Sequence, residues 1–159
     1  MKLVSAAFVL FVLAFGMQEA RGETGLGVGI IAGEPTGISI KKWIGGTRAF
    51  DAAAAWSFSE HESFQIHADY LFHNFSLLRS KDFTGRFPVY YGIGGKIKLR
   101  NTRPNHEDAS VGVRIPLGIS YLFADTPVDI FVEVVPILNV APDTDLDLNA
   151  AFGVRFYFR

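Results

Sequence analysis

The sequence predicts an all-β fold of eight antiparallel strands closed up-and-down into a barrel, and three observations carry that prediction. From Gly25 onward apolar residues recur at every second position, the period of a strand, and Gly, Pro, Asn and Asp interrupt the pattern at intervals. The opposite, polar face is crowded with glycine: Gly25, Gly27, Gly29, Gly37, Gly92, Gly94, Gly112, Gly118 and Gly153. An exposed strand face loses stability by glycine, whereas a narrow eight-stranded interior needs the room and the curvature. Aromatic residues gather at strand ends, with Phe50, Phe72, Tyr91, Tyr121, Phe123, Phe156 and Phe158 at one level and Trp56, Phe58 and Phe64 at the other.

The first two dozen residues read differently. Met1-Lys2 supplies a positive start and Leu3 to Met17 an unbroken apolar stretch, too short to span a membrane comfortably but suited to a secretory signal peptide. Small residues at Ala20 and Gly22 flank Arg21, so cleavage is expected after Gly22, with Ala20 the alternative, giving a signal peptide over 1-22 and a barrel domain over 23-159. Removing Lys2, Glu19 and Arg21 takes a net +1 from the formal charge of -1, leaving -2. With Lys and Arg scattered singly or in short pairs, nothing marks a nucleic-acid binder. There is no cysteine, hence no disulfide scaffold, lipoprotein acylation site or thiol nucleophile. No cofactor is implied.

Eight runs follow in order: 24 to 32, 36 to 44, 48 to 58, 64 to 75, 87 to 100, 109 to 123, 128 to 139 and 146 to 158. The sixth alternates most clearly, with Val111, Val113, Ile115, Leu117, Ile119, Tyr121 and Phe123 opposite Gly112, Arg114, Pro116, Gly118 and Ser120. In the fourth, Phe64, Ile66, Ala68, Tyr70 and Phe72 oppose Gln65, His67, Asp69 and His73, with Leu71 the lapse. The fifth sets Val89, Tyr91, Ile93, Ile97 and Leu99 against Tyr90, Gly92, Gly94, Lys96, Lys98 and Arg100, and the last sets Leu148, Ala150, Phe152, Val154, Phe156 and Phe158 against Asn149, Ala151, Gly153, Arg155 and Tyr157. Pro116 and Pro136 fall inside strands, where each removes a ladder donor, so bulges or kinks are expected at both.

Alternation fits either a soluble sandwich, apolar face inward, or a transmembrane barrel, apolar face to lipid. The bulk of the apolar face, the glycines and the aromatic levels favour the transmembrane barrel. A tilted strand gains roughly 2.3 Å of height per residue, so about 11 residues cross a 25 Å apolar band, the length of these runs. No apolar run after Met17 approaches the roughly 20 residues of a spanning helix.

On these features the chain resembles the small outer-membrane β-barrel proteins of the OmpA/OmpX-like superfamily, and within it an uncharacterised branch. GEPTGISIKKW, YYGIGGKI, RIPLGISYLF and DIFVEVVP carry the likeness over the whole mature chain, and AAFGVRFYF resembles the terminal signal read by barrel-assembly machinery, although Arg159 follows the aromatic Phe158. The resemblance implies a bacterial outer-membrane protein of Gram-negative type, a monomer, with membrane lipid and lipopolysaccharide around it and the assembly machinery as its partner during insertion. It implies no activity.

With both termini on the periplasmic side, connections near Glu34, His61, Asn105 and Asp143 face outward from the cell. Pairing about those tips sets Asp69 opposite Ala53, His67 opposite Ala55, Lys96 opposite Arg114 and Glu133 opposite Gly153. Lys41, Asp51, Asp69, Lys96, Arg114, Glu133 and Arg155 then meet at similar depth. Like charges cannot share a narrow lumen without carboxylates between them, so an ion network that plugs the barrel is expected, with Asp69 and Glu133 as the partners of Lys96 and Arg114.

Other chemistry is thinner. His67, Asp69 and His73 share a face, but His67 and His73 lie about 20 Å apart along a strand, too far for one metal ion. Asp143, Asp145 and Asp147 make a weak candidate for a hard cation without the glycine and later Glu of an EF-hand. Ser59 and His61 in FSEHESF have the residue types of a lipid-modifying hydrolase, yet one tight loop supplies neither separated supports nor an oxyanion hole. The expectation is a non-enzymatic barrel with a structural or surface-interaction role; the alternatives are a lipid-modifying barrel enzyme and a soluble periplasmic binder of lipocalin type.

Overall fold

The computed structural model describes residues 25–34, 36–57, 63–78, 82, 84–103 and 106–158. The expected signal peptide and its cleavage site lie outside the described residues, as do Phe58, Ser59 and His61.

Every described element is a strand: β1 Leu26–Gly33, β2 Thr36–Gly45, β3 Arg48–Ser57, β4 Ser63–Asn74, β5 Val89–Arg103, β6 His106–Arg114, β7 Leu117–Leu122, β8 Val128–Ala141 and β9 Asp145–Phe158. All pairings are antiparallel, and one sheet closes on itself as β1 meets both β2 and β9 while β4 meets β5. β6 and β7 are two halves of one barrel strand, since both pair with β5 on one side and β8 on the other. The ring therefore has eight strands, as the sequence predicts.

The interruption between β6 and β7 is Ile115-Pro116. Pro116 has no N–H to give, but its carbonyl still accepts from Gly92 N at 2.9 Å, and Ile115 N donates to the Pro136 carbonyl at 3.0 Å. Pro136 does not bulge: β8 runs through it, paired with Leu148 in unbroken register. The register shifts fall elsewhere, between Trp43 and Gly45, Asn101 and Arg103, and Val111 and Gly112.

The partners inferred from the tips are wrong by two residues throughout. Asp69 faces Asp51, not Ala53; His67 faces Ala53, not Ala55; Lys96 faces Gly112, not Arg114; and Glu133 faces Ala151, not Gly153. The three hairpins that set these pairs are each centred one residue earlier than assumed, and moving a centre by one moves every partner by two; the hairpin at Glu34 is centred as expected, with Ile31 facing Gly37. Because the side-chain period is also two, each residue keeps its face while changing its neighbour.

Burial is inverted relative to a water-soluble domain. Ile66, Ile93, Val132 and Phe152 point outward with 53 to 61% of their surface exposed, while Lys41, Arg114, Asp129 and Arg155 are at 2% or less. On the outer wall Phe50, Tyr70, Phe72 and Tyr91 form a continuous row across β3, β4 and β5, with successive ring centroids 5.0, 5.0 and 5.5 Å apart. Trp56 and Phe64 meet toward the other end at 5.7 Å. Inside, Ile31, Ala53, Ala55, Leu71, Tyr90 and Phe131 make a small apolar cluster between the charged groups. The lumen glycines make room for these side chains: a Cβ on Gly118 would run into the Tyr90 ring and one on Gly94 into the Asp69 carboxylate.

Candidate functional site

The interior divides along the barrel axis, beginning at the end that carries the start of β1 and the finish of β9. There Arg155 on β9 is the hub. Its guanidinium pairs with Asp51 on β3, lies 3.6 Å from Asp129 on β8, and donates through Nε to Ser39 Oγ at 2.8 Å. Ser39 in turn donates to Asp51 at 3.3 Å, and the guanidinium covers the Phe131 ring at 3.7 Å. Asp129 also receives the Tyr157 hydroxyl at 2.6 Å and stands 3.9 Å from Lys41 Nζ.

Lys41, on β2, is fully buried. Its ammonium lies 2.9 Å from His73 Nε2, which must accept because an ammonium has only donors. It also sits over the rings of Trp43 and Tyr90, 4.5 and 5.5 Å from their centroids, where the π faces help to replace lost water. One layer higher, Arg114 Nε donates to both Asp69 oxygens at 3.1 and 3.2 Å, and its Nη2 lies 3.8 Å from Glu133. Tyr90 holds Glu133 from the other side with an O–H donation at 2.9 Å.

The mouth near the β8–β9 turn is built more loosely. Lys96 lies 3.6 Å from Asp147, whose side chain is 46% exposed and also accepts from Asn139 Nδ2 at 2.7 Å. Beside Lys96 on the neighbouring strand, its ladder partner His67 contacts Gln65 at 3.4 Å.

These bridges join strands that are not ladder neighbours: Arg155–Asp51 links β9 to β3, Lys41–Asp129 links β2 to β8, Arg114–Asp69 links β6 to β4, and Lys96–Asp147 links β5 to β9. Such strands can touch only through the interior. A buried ion without a partner costs several kcal/mol, so strands placing charges inside must place opposite charges within reach.

Of the seven lumen residues singled out by sequence, Asp51 meets Arg155, Asp69 and Glu133 meet Arg114, and Lys41 joins Asp129. Lys96 does not join Asp69; its partner is Asp147, from the expected cation loop. Two of that loop's three carboxylates, Asp145 and Asp147, belong to β9. Carboxylates two apart on a strand project side by side, roughly 6.6 Å apart at their bases, and do not converge on one ion. Among the described residues, no group of three or more His, Asp or Glu could hold a metal ion. His67, Asp69 and His73 likewise have separate partners.

Sequence reasoning put Tyr157 on the lumen face beside Arg155 without its partner Asp129, and it missed Asp129, Ser39 and the Lys41–His73 contact. Parity would have found Asp129, which shares a face with Phe131 and Glu133.

Fold and interior together define a class: eight-stranded up-and-down barrels with an apolar outer wall and a charged, cross-braced interior. Within it, the chain belongs to the family described as "Protein of unknown function (DUF3996)", whose model matches residues 17–158. Among solved structures it is similar to the crystal structure of the N-terminal β-barrel domain of Pseudomonas aeruginosa OprF, with a TM-score of 0.63 and 13% identity over 87% of this chain and 100% of that one. At that identity the likeness is one of fold. No curated protein matches the chain.

Proposed function

We propose that this chain is a non-enzymatic integral protein of the bacterial outer membrane, a monomeric barrel whose charged lumen is plugged and whose role is structural or one of surface interaction. The observation that carries the reading is the pairing of an apolar outer wall with buried ion pairs that cross the interior, Arg155–Asp51, Lys41–Asp129 and Arg114–Asp69. An apolar wall exposed all round is unfavourable in water and favourable in hydrocarbon, and a closed barrel leaves no unpaired backbone edge there. Membrane lipid and lipopolysaccharide would surround the wall, and barrel-assembly machinery would insert the chain.

Two measurements test this. Fractionation is expected to leave the protein in the detergent-requiring membrane fraction with heat-modifiable migration on gels; release by osmotic shock would overturn the membrane reading. Reconstituted in planar bilayers, the protein is expected to show no stable large conductance, because the cross-lumen pairs stand in the path of ions. Such a conductance would overturn the plug.

A further inference from the structure

On its β1 side, β9 outruns its neighbour. The β1 ladder ends where Gly33 faces Ala151, the Glu34 N–H donates to the Ala150 carbonyl at 3.1 Å, and β9 continues past that point as far as Asp145, toward its hairpin with β8. Alternate residues of a strand turn their backbone N–H and C=O to the same side, so Leu148 and Leu146 present theirs where Ala150 does, away from β8. Among the described residues, no strand pairs with those four groups. The two leucine side chains face outward at 71 and 76% exposure, the highest of the large apolar residues described, and everything from Ala141 to Leu148 is exposed. On the opposite face stand Asp145 and Asp147, with Asp143 in the turn; among the described residues Lys96 pairs only with Asp147.

We propose that this edge of β9 docks an extended segment of a partner protein, which adds as an antiparallel strand with apolar residues beside Leu146 and Leu148 and basic residues beside Asp145 and Asp147. The inference rests on the outer-membrane reading above and gives its surface interaction a partner of stated chemistry. Unpaired backbone groups cannot lie in hydrocarbon, so this part of β9 stands beyond the apolar band, where a soluble partner can reach it. A bare sheet edge is a template for another strand: backbone pairing supplies the affinity and alternate side chains set the specificity. A lipid chain offers such an edge no hydrogen bonds. The carboxylates favour a basic segment and reject a second copy of this chain. Pairing two β9 edges antiparallel, with Leu146 against the copy's Leu148, would set Asp147 directly opposite its own copy, like charge against like. It would also invert one barrel relative to the other, which two copies inserted in one membrane in the same sense cannot do.

The test is fluorescence anisotropy of a labelled peptide of alternating lysine and valine, titrated with the purified protein in non-ionic detergent. Wild type is expected to bind it saturably, one peptide per barrel. Methylating the backbone nitrogens of the valines is expected to weaken binding roughly tenfold, because in the antiparallel pairing those N–H groups face Leu146 and Leu148; methylating those of the lysines, which face away, is expected to leave it unchanged. Leu148→Pro removes one N–H from the free edge while sparing the β8 ladder, and is expected to weaken binding roughly tenfold as well. Asp145→Asn is expected to weaken it about threefold, and replacing the peptide's lysines by glutamates roughly tenfold. Binding indifferent to valine methylation and to Leu148→Pro would be ionic adsorption only and would overturn the proposal, as would the absence of saturable binding or a dimer in light scattering that occupies the edge instead. Heat-modifiable migration of the same samples keeps the two readings apart: where it is present and the edge changes have no effect, only the edge inference fails.

Discussion

The two ends of the lumen solve the same electrostatic problem with different strictness. Near the chain termini, Arg155, Asp51, Asp129, Lys41, His73, Ser39 and Tyr157 form one connected network in which every charged group is at least nine-tenths buried. At the mouth, Lys96 has one carboxylate partner, and Asp147 is nearly half exposed. Water can stand in for a lost partner at the mouth but not in the network. The energetic weight of an ion pair in this barrel is thus set by depth more than by distance, since the Lys96–Asp147 separation of 3.6 Å equals that of Arg155 to Asp129.

Mutations can break that contrast. Arg155→Met leaves Asp51 and Asp129 facing each other without their shared cation, and the loss is expected to be about 3–5 kcal/mol, read as a fall in the urea midpoint in detergent micelles. Trp43, packed against Lys41 and His73, is a fluorescence reporter inside the affected layer. Asp69→Asn should cost less, about 1–3 kcal/mol in the same unfolding experiment, because Arg114 keeps Glu133 at 3.8 Å. Lys96→Met is expected to cost under about 1 kcal/mol, because its partner remains solvated. A Lys96→Met loss as large as that of Arg155→Met would dissolve the distinction between the two ends.

The same contrast explains what was legible in the sequence. Alternation at period two assigned inside and outside almost everywhere, including the lapse at Leu71, which is buried in the lumen at 2% exposure. Leu71 is read correctly as an interior position because parity belongs to the strand rather than to the hydropathy of one residue. Strand count followed from the same pattern, and the Pro116 break altered the ladder without adding a strand. Partner choice was less legible. Lys96 and Asp69 share a face on adjacent strands, yet Lys96 reaches Asp147 on β9 and Asp69 goes to Arg114 on β6. Nothing in the local sequence distinguishes these outcomes.

The sequence by itself determined the class of fold, the number of barrel strands and the face each side chain occupies, because backbone geometry alternates side chains whatever lies across the barrel. The tertiary structure alone decided the register and the ion partners. A hairpin can slip by two residues without changing a single face, and the charges that meet in the lumen come from strands as distant in sequence as Asp51 and Arg155, brought together only when β1 closes against β9.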